Sequence, residues 1–178
     1  MTGLRRGELA ALRWEDIEPI EDGELHVVHA HVVVDYRVIE SEPKTDKSKR
    51  TIGLDPATVA ALRSHRARQA QERLAAGSAW QGENYVFANE LGRPYHPQRL
   101  TIMFAQRARA AGLPVVKLHA LRHGHATAGI VHGVPLKVMS ERLGHSSIRI
   151  TADTYAHVSP ATDKAAAAGI ALDIDGAL

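Results

Sequence analysis

Between Lys117 and His157 the chain reads KLHALRHGHATAGIVHGVPLKVMSERLGHSSIRITADTYAH. This stretch holds six of the chain's eleven histidines, an arginine inside a histidine run, and Tyr155 near its end. A helical stretch that only packed a core would carry leucine, isoleucine and valine at its inward positions; here polar, titratable groups recur. Proton carriers, cationic donors and a hydroxyl on consecutive short helices are the groups that handling a phosphate requires. His119, Arg122 and His123 stand at i, i+3 and i+4, so they share one helix face. His145 follows Gly144, a residue suited to a left-handed helix cap, and is held at a bend where it can be aimed. Three readings compete: a metal site using His119 and His123, a set of satisfied core and surface histidines, and a phosphate cradle with Tyr155 as nucleophile. The metal reading has no HExxH and no third acidic ligand nearby.

The elements that would position these groups follow from periodicity. One helix begins near His119, a second starts at Pro135, buries Leu136, Met139 and Leu143 and ends at Gly144, and a third, capped by Ser146 or Ser147, places Ile148, Thr151 and Tyr155 on one face. At the other end of the chain, Arg5, Glu8, Leu9 and Leu12 at i, i+3, i+4 and i+7 put Arg5 on the core-facing side of a short helix. There it needs an anionic partner, pairs with Glu8 across a turn, or snorkels to water. Valine-rich LHVVHAHVVVDY, then RVIESEP, then KRTIGL read as three strands of a small antiparallel sheet. The turn before the third, PKTDKSKR, sets Lys44, Lys47, Lys49 and Arg50 against a single Asp46: a solvated loop, or a charged finger that reaches a phosphate. Asp55-Pro56 starts a helix running to about Gly77, whose arginines scatter over its sides and read as mostly solvated. A further helix from Pro97 to Gly112 carries Leu100, Met103, Phe104, Ala108 and Ala111 as a core stripe. The alanine-rich tail, 160–178, reads as one more helix.

Length and composition set the bounds. The 178 residues fit one domain with a real core, and 44% hydrophobic content is ordinary. Without cysteine there is no disulfide framework or thiolate metal site, and a reducing compartment is the simplest setting. No apolar run approaches the ~18 residues of a membrane span, and the first twenty residues are unlike a signal peptide. A soluble, intracellular protein is expected. The net charge of +2 does not by itself call for nucleic acid.

TGLRRGEL, the basic turn PKTDKSKRTI, HALRHGHAT, LGHSSIRIT and ADTYAHV, in this order, resemble the catalytic domain of the tyrosine recombinases, the phage integrase family. The resemblance runs from Thr2 to about Val158. It implies an α+β, mainly helical domain with a small three-stranded antiparallel sheet, and strand exchange on double-stranded DNA without metal, ATP or other cofactor. It implies that Arg5 and Arg122 grip the scissile phosphate, Lys44 is the general acid, His119 an acid or base, His145 a phosphate ligand and Tyr155 the nucleophile. Glu8 and His123 would support the site, and Lys47, Lys49 and Arg50 would touch DNA phosphates.

Family members form tetramers on DNA, so other protomers are expected partners, with a monomer or weak dimer when DNA is absent. A cytoplasmic, nucleoid-associated setting and no membrane partner follow. The acidic residue often found after the first histidine is Ala120 here. The family's N-terminal DNA-clamping domain does not precede the GLR segment, so residues 1–178 read as an N-terminally truncated catalytic domain. A non-cutting DNA-binding or regulatory remnant is the alternative, and a histidine-rich metal protein the third reading.

Overall fold

The computed structural model describes residues 2–41, 49–82 and 84–155, with only the backbone of Tyr155. Lys44, Lys47 and the tail at 160–178 lie outside the described residues. The chain opens with helix α1 (Arg6–Ala11) and two 3-10 turns, Trp14–Asp16 and Ile20–Asp22. Two antiparallel strand pairs follow. β1 (Glu24–Val27) pairs with β4 (Arg50–Gly53), and β2 (Ala30–Val34) pairs with β3 (Arg37–Ser41). Helices α2 (Pro56–Ala76), α3 (Pro97–Ala110), α4 (Leu118–Val131), α5 (Leu136–Leu143) and α6 (Ile148–Tyr155) complete the domain. It is α+β and mainly helical, as expected.

The strands differ in detail from the expected three. The valine-rich run divides after Val27 because its two halves face different partners: Leu25 lies opposite Ile52, while Val32 lies opposite Ile39. Asp35 and Tyr36 both adopt positive φ, 47° and 63°, the backbone of a two-residue turn whose twist matches the strands it joins. The β1–β4 pair buries Leu25, Val27 and Ile52 against Leu4, Leu12, Trp14, Ile17, Ile20 and Val86. α2 begins at Asp55, whose carboxylate accepts the Thr58 N–H at 2.9 Å, and its buried Gln69 accepts the Trp14 indole N–H at 2.7 Å. The α2 arginines are largely at the surface, Arg63 beside Glu21 and Arg66 beside Glu18. In α3 the apolar stripe is partial: Ala108 is buried, Leu100, Met103 and Phe104 are half-buried, and Ala111 is exposed.

A second cluster, Ala126, Met139 and Leu143, joins α4 to α5. The α5 helix stops as its residues dictate. Gly144 takes the left-handed conformation at φ 65°, and the His145 N–H turns back to the Ser140 carbonyl at 3.0 Å. α6 then packs on α5. Among the described residues, no helix is long and apolar enough to cross a membrane.

Candidate active site

The end of α5 organises the site. A helix leaves its last carbonyls without intrahelical partners, and they carry the negative end of the helix dipole. Here three consecutive carbonyls each accept a guanidinium N–H. Arg50 Nε donates to the Arg142 carbonyl at 2.8 Å, Arg122 Nη2 to Leu143 at 2.6 Å, and Arg5 Nη2 to Gly144 at 2.6 Å. The second fork nitrogen of Arg122 donates to the Gly3 carbonyl at 2.7 Å, tying the N-terminal segment to α4 and α5. Gly3 is required there: its φ is +73°, and a Cβ would lie 2.8 Å from the His125 ring.

Arg5 does not lie on the core-facing side of α1. It is the residue before the helix, in an extended conformation, and its side chain is 43% exposed. Its pairing with Glu8 is present, at 2.9 Å from Nη1, and the same carboxylate reaches back to accept the Arg5 backbone N–H at 2.7 Å. Glu8 is buried, and it also takes both fork nitrogens of Arg50 at 3.0 and 2.8 Å. Burial alone would raise the Glu8 pKa. The Arg50 hydrogen bonds and charge, then those of Arg5, outweigh burial and hold it below the ordinary carboxylate value.

The histidines stand in the field of these cations. His145 is driven down to about 4, first by burial and then by the charges of Arg122, Arg5 and Arg50. Its Nδ1 lies 2.7 Å from the hydroxyl oxygen of Thr151, a fully buried residue of α6. His119 is also lowered, first by the water its ring loses to packing, then by His123, Arg122 and Arg5. The His119 and His123 rings meet edge to face with centroids 4.7 Å apart. His145 and His119 are therefore neutral near pH 7 beside two arginines that stay charged. Among the described residues no group of three or more histidines and carboxylates is placed to hold a metal ion.

The structure thus gathers Arg5, Glu8, His119, Arg122, His123 and His145, from both ends of the described chain, around the α5 terminus. Tyr155 is the final residue of α6, four positions after Thr151. Lys49 is exposed and borders, with His145, Ser146 and Ser147, a groove of about 460 Å³. Arg50 is placed differently from the expectation of a phosphate contact: its side chain is 6% exposed and is committed to Glu8 and the Arg142 carbonyl. Sequence reasoning missed that role, and missed Thr151 as the partner of His145. A single carboxylate among several cations was the available signal for the first; the second had none beyond helical spacing.

Residues 1–162 match the Phage integrase family. The chain belongs to this family. This integrase-family chain is 42% identical over 171 residues to a XerC-like tyrosine recombinase of Caldanaerobacter subterraneus, with 89% of this chain and 44% of the relative covered. It is 30% identical over 166 residues to the ICEBs1 integrase of Bacillus subtilis, with 92% and 44% covered. The chain spans less than half the length of these curated relatives. Among solved structures, the Tn1549 transposon integrase in complex with transposon right end DNA superposes with a TM-score of 0.77 at 23% identity, covering 96% of this chain and 56% of that one. The last likeness establishes the shared fold.

Proposed function

We propose that this integrase-family chain is the catalytic portion of a site-specific DNA recombinase that cuts and rejoins duplex DNA by transesterification. The observation that carries the reading is the convergence of Arg5, Arg122 and a neutral His145 on the end of α5, one helix before Tyr155. In this reading the two guanidinium groups hold the nonbridging oxygens of the scissile phosphate, Arg5 from its part-exposed position and Arg122 from a buried one, each terminal nitrogen carrying a second N–H beside the one given to a protein oxygen. In the tautomer this reading uses, the Thr151 hydroxyl donates to His145 Nδ1, the ring proton sits on Nε2 and it is offered to a phosphate oxygen. A phenol with a pKa near 10 is a weak nucleophile at neutral pH and needs a base and a positive field. His119, neutral at pH 7, takes the Tyr155 proton. The Tyr155 oxygen bonds to phosphorus, the bond to the 5'-oxygen breaks, and Lys44 protonates the departing oxygen. The 3'-phosphotyrosine link keeps the bond energy, so a second 5'-hydroxyl reverses the step on a new strand without ATP. Strand exchange implies several protomers, as a tetramer on DNA that disperses to monomers or weak dimers without it, in a cytoplasmic, nucleoid-associated setting.

A nicked suicide duplex that traps the cleaved strand tests this. The expected result is a covalent protein–DNA adduct that persists in EDTA and is absent in Tyr155→Phe. Arg122→Ala should slow it by roughly the 10²–10³ typical of losing one transition-state donor. Adduct formation in Tyr155→Phe would show that another residue is the nucleophile. Specific DNA binding with no adduct, even after fusion to an N-terminal DNA-binding domain, would favour the non-cutting remnant.

A further inference from the structure

We propose that Arg50 is a positioning residue for the transfer step, setting where Arg5 and the end of α5 stand without touching DNA. The inference rests on the recombinase reading above. Arg50 sits at the start of β4, and its side chain and that of Glu8 are 6% and 7% exposed. Its two fork nitrogens take both oxygens of Glu8, while Nε takes the Arg142 carbonyl. Glu8 in turn holds the Arg5 backbone N–H and one Arg5 fork nitrogen, and the other Arg5 fork nitrogen holds Gly144. The order Arg142, Leu143, Gly144 along the chain is thus matched by Arg50, Arg122, Arg5 in space.

Two further observations fit this side chain into the floor of the site. A Cβ on Gly144 would come within 2.7 Å of Arg50 Nη1, so only glycine leaves room for the guanidinium under the bend that aims His145. The joint between β4 and α5 is also reciprocal: Arg142 Nη2 donates back to the Gly53 carbonyl at 2.9 Å. Lysine cannot reproduce the Arg50 contacts, because one ammonium nitrogen cannot span a carboxylate and a carbonyl as a planar fork does. Removing Arg50 leaves a buried carboxylate short of half its partners. Arg5, already bonded to Glu8, would then be drawn from the Gly144 carbonyl toward that carboxylate.

The test separates binding from chemistry. DNA affinity at several salt concentrations and the single-turnover adduct rate at saturating nicked duplex are measured for wild type, R50K, R50M, E8Q and R50M/E8Q, each checked by thermal unfolding. The expected result is a tenfold or larger loss of saturated rate in R50K and R50M, with affinity within about twofold of wild type and an unchanged salt slope, since no phosphate contact is lost. R50M/E8Q should recover part of the rate lost in R50M, because the stranded charge is removed with its partner. R50K covers the case in which R50M does not fold, as it keeps a cation beside Glu8. Weakened affinity with a salt slope shallower by about one, at unchanged saturated rate, would make Arg50 a phosphate contact and overturn the proposal. R50K at wild-type rate, or a double variant no better than R50M, would also overturn it. No adduct from the wild-type chain, alone and fused to an N-terminal DNA-binding domain, overturns the recombinase reading, and this proposal falls with it.

Discussion

His145 is a cation-forming group placed where a second cation is unwelcome, and that fixes how the protein responds to acid. Its folded pKa of about 4 lies below the ordinary histidine value of about 6.5, with burial first and the neighbouring arginines next among the causes. His119 is lowered as well, by burial and then by His123, Arg122 and Arg5, and His125 is lowered by burial and then by Arg142. Below about pH 6.5 the unfolded chain therefore binds protons that the folded chain does not, so stability falls as pH drops from 6.5 toward 4 and is restored as pH rises. Glu8, lowered in the fold, adds to the loss only as pH falls through the carboxylate range. The expected measurement is a urea midpoint lower at pH 5 than at pH 7.5, with a smaller difference in His145→Asn. An equal difference in that variant would show that His145 does not drive the slope. The residue types of the candidate site were legible in the sequence through the motifs that carry the family resemblance, not through spacing alone. Their partners were not: Thr151 and Arg50 are ordinary residues whose roles come from packing between elements far apart in the chain.

The elements explain where legibility ended. Helix ends were readable because single residues decide them, as at Asp55, Pro56 and Gly144. The strands were readable as strands but not as pairs, since a continuous valine-rich run carries no mark of the point at which its partner changes. Arg5 was misplaced for a related reason: helical spacing extends to it, but the helix begins one residue later, and Glu8 caps it instead. Glycine substitutions test how firmly the bend after α5 is set. Gly144→Ala puts a side chain at φ 65° and against Arg50, and should destabilise by roughly 1–3 kcal/mol. Gly124→Ala, within α4 where a Cβ would meet nothing within 4 Å, should instead stabilise by roughly 0.5–1 kcal/mol. Denaturant midpoints of the two variants check both signs, and equal shifts would mean that the bend is not strained by a side chain.

The whole molecule closes on itself at the site, since Arg5 reaches Gly144 and Arg122 reaches Gly3, joining segments more than a hundred residues apart. Among the described residues Arg5, Arg122 and Arg50 converge at this junction with Glu8 bonded to two of them, an excess of positive charge in a chain that as a whole carries only +2. A tetrahedral dianion that fits between Arg5, Arg122 and His145 should bind the folded chain and not the unfolded one, and so raise its unfolding temperature. A ligand at about 100 times its Kd stabilises by about 2.7 kcal/mol. At about 2–4 °C per kcal/mol for a domain of this size, that is a rise of roughly 5–10 °C. Sulfate also stabilises proteins in general by exclusion from their surface, so the informative quantity is the difference between chains. Thermal unfolding across a sulfate series should show a larger rise for wild type than for Arg5→Ala or Arg122→Ala, with a saturating component only in wild type. Parallel, unsaturating rises in all three would mean that the junction holds no anion site, and that the two arginines serve to tie the chain's ends together.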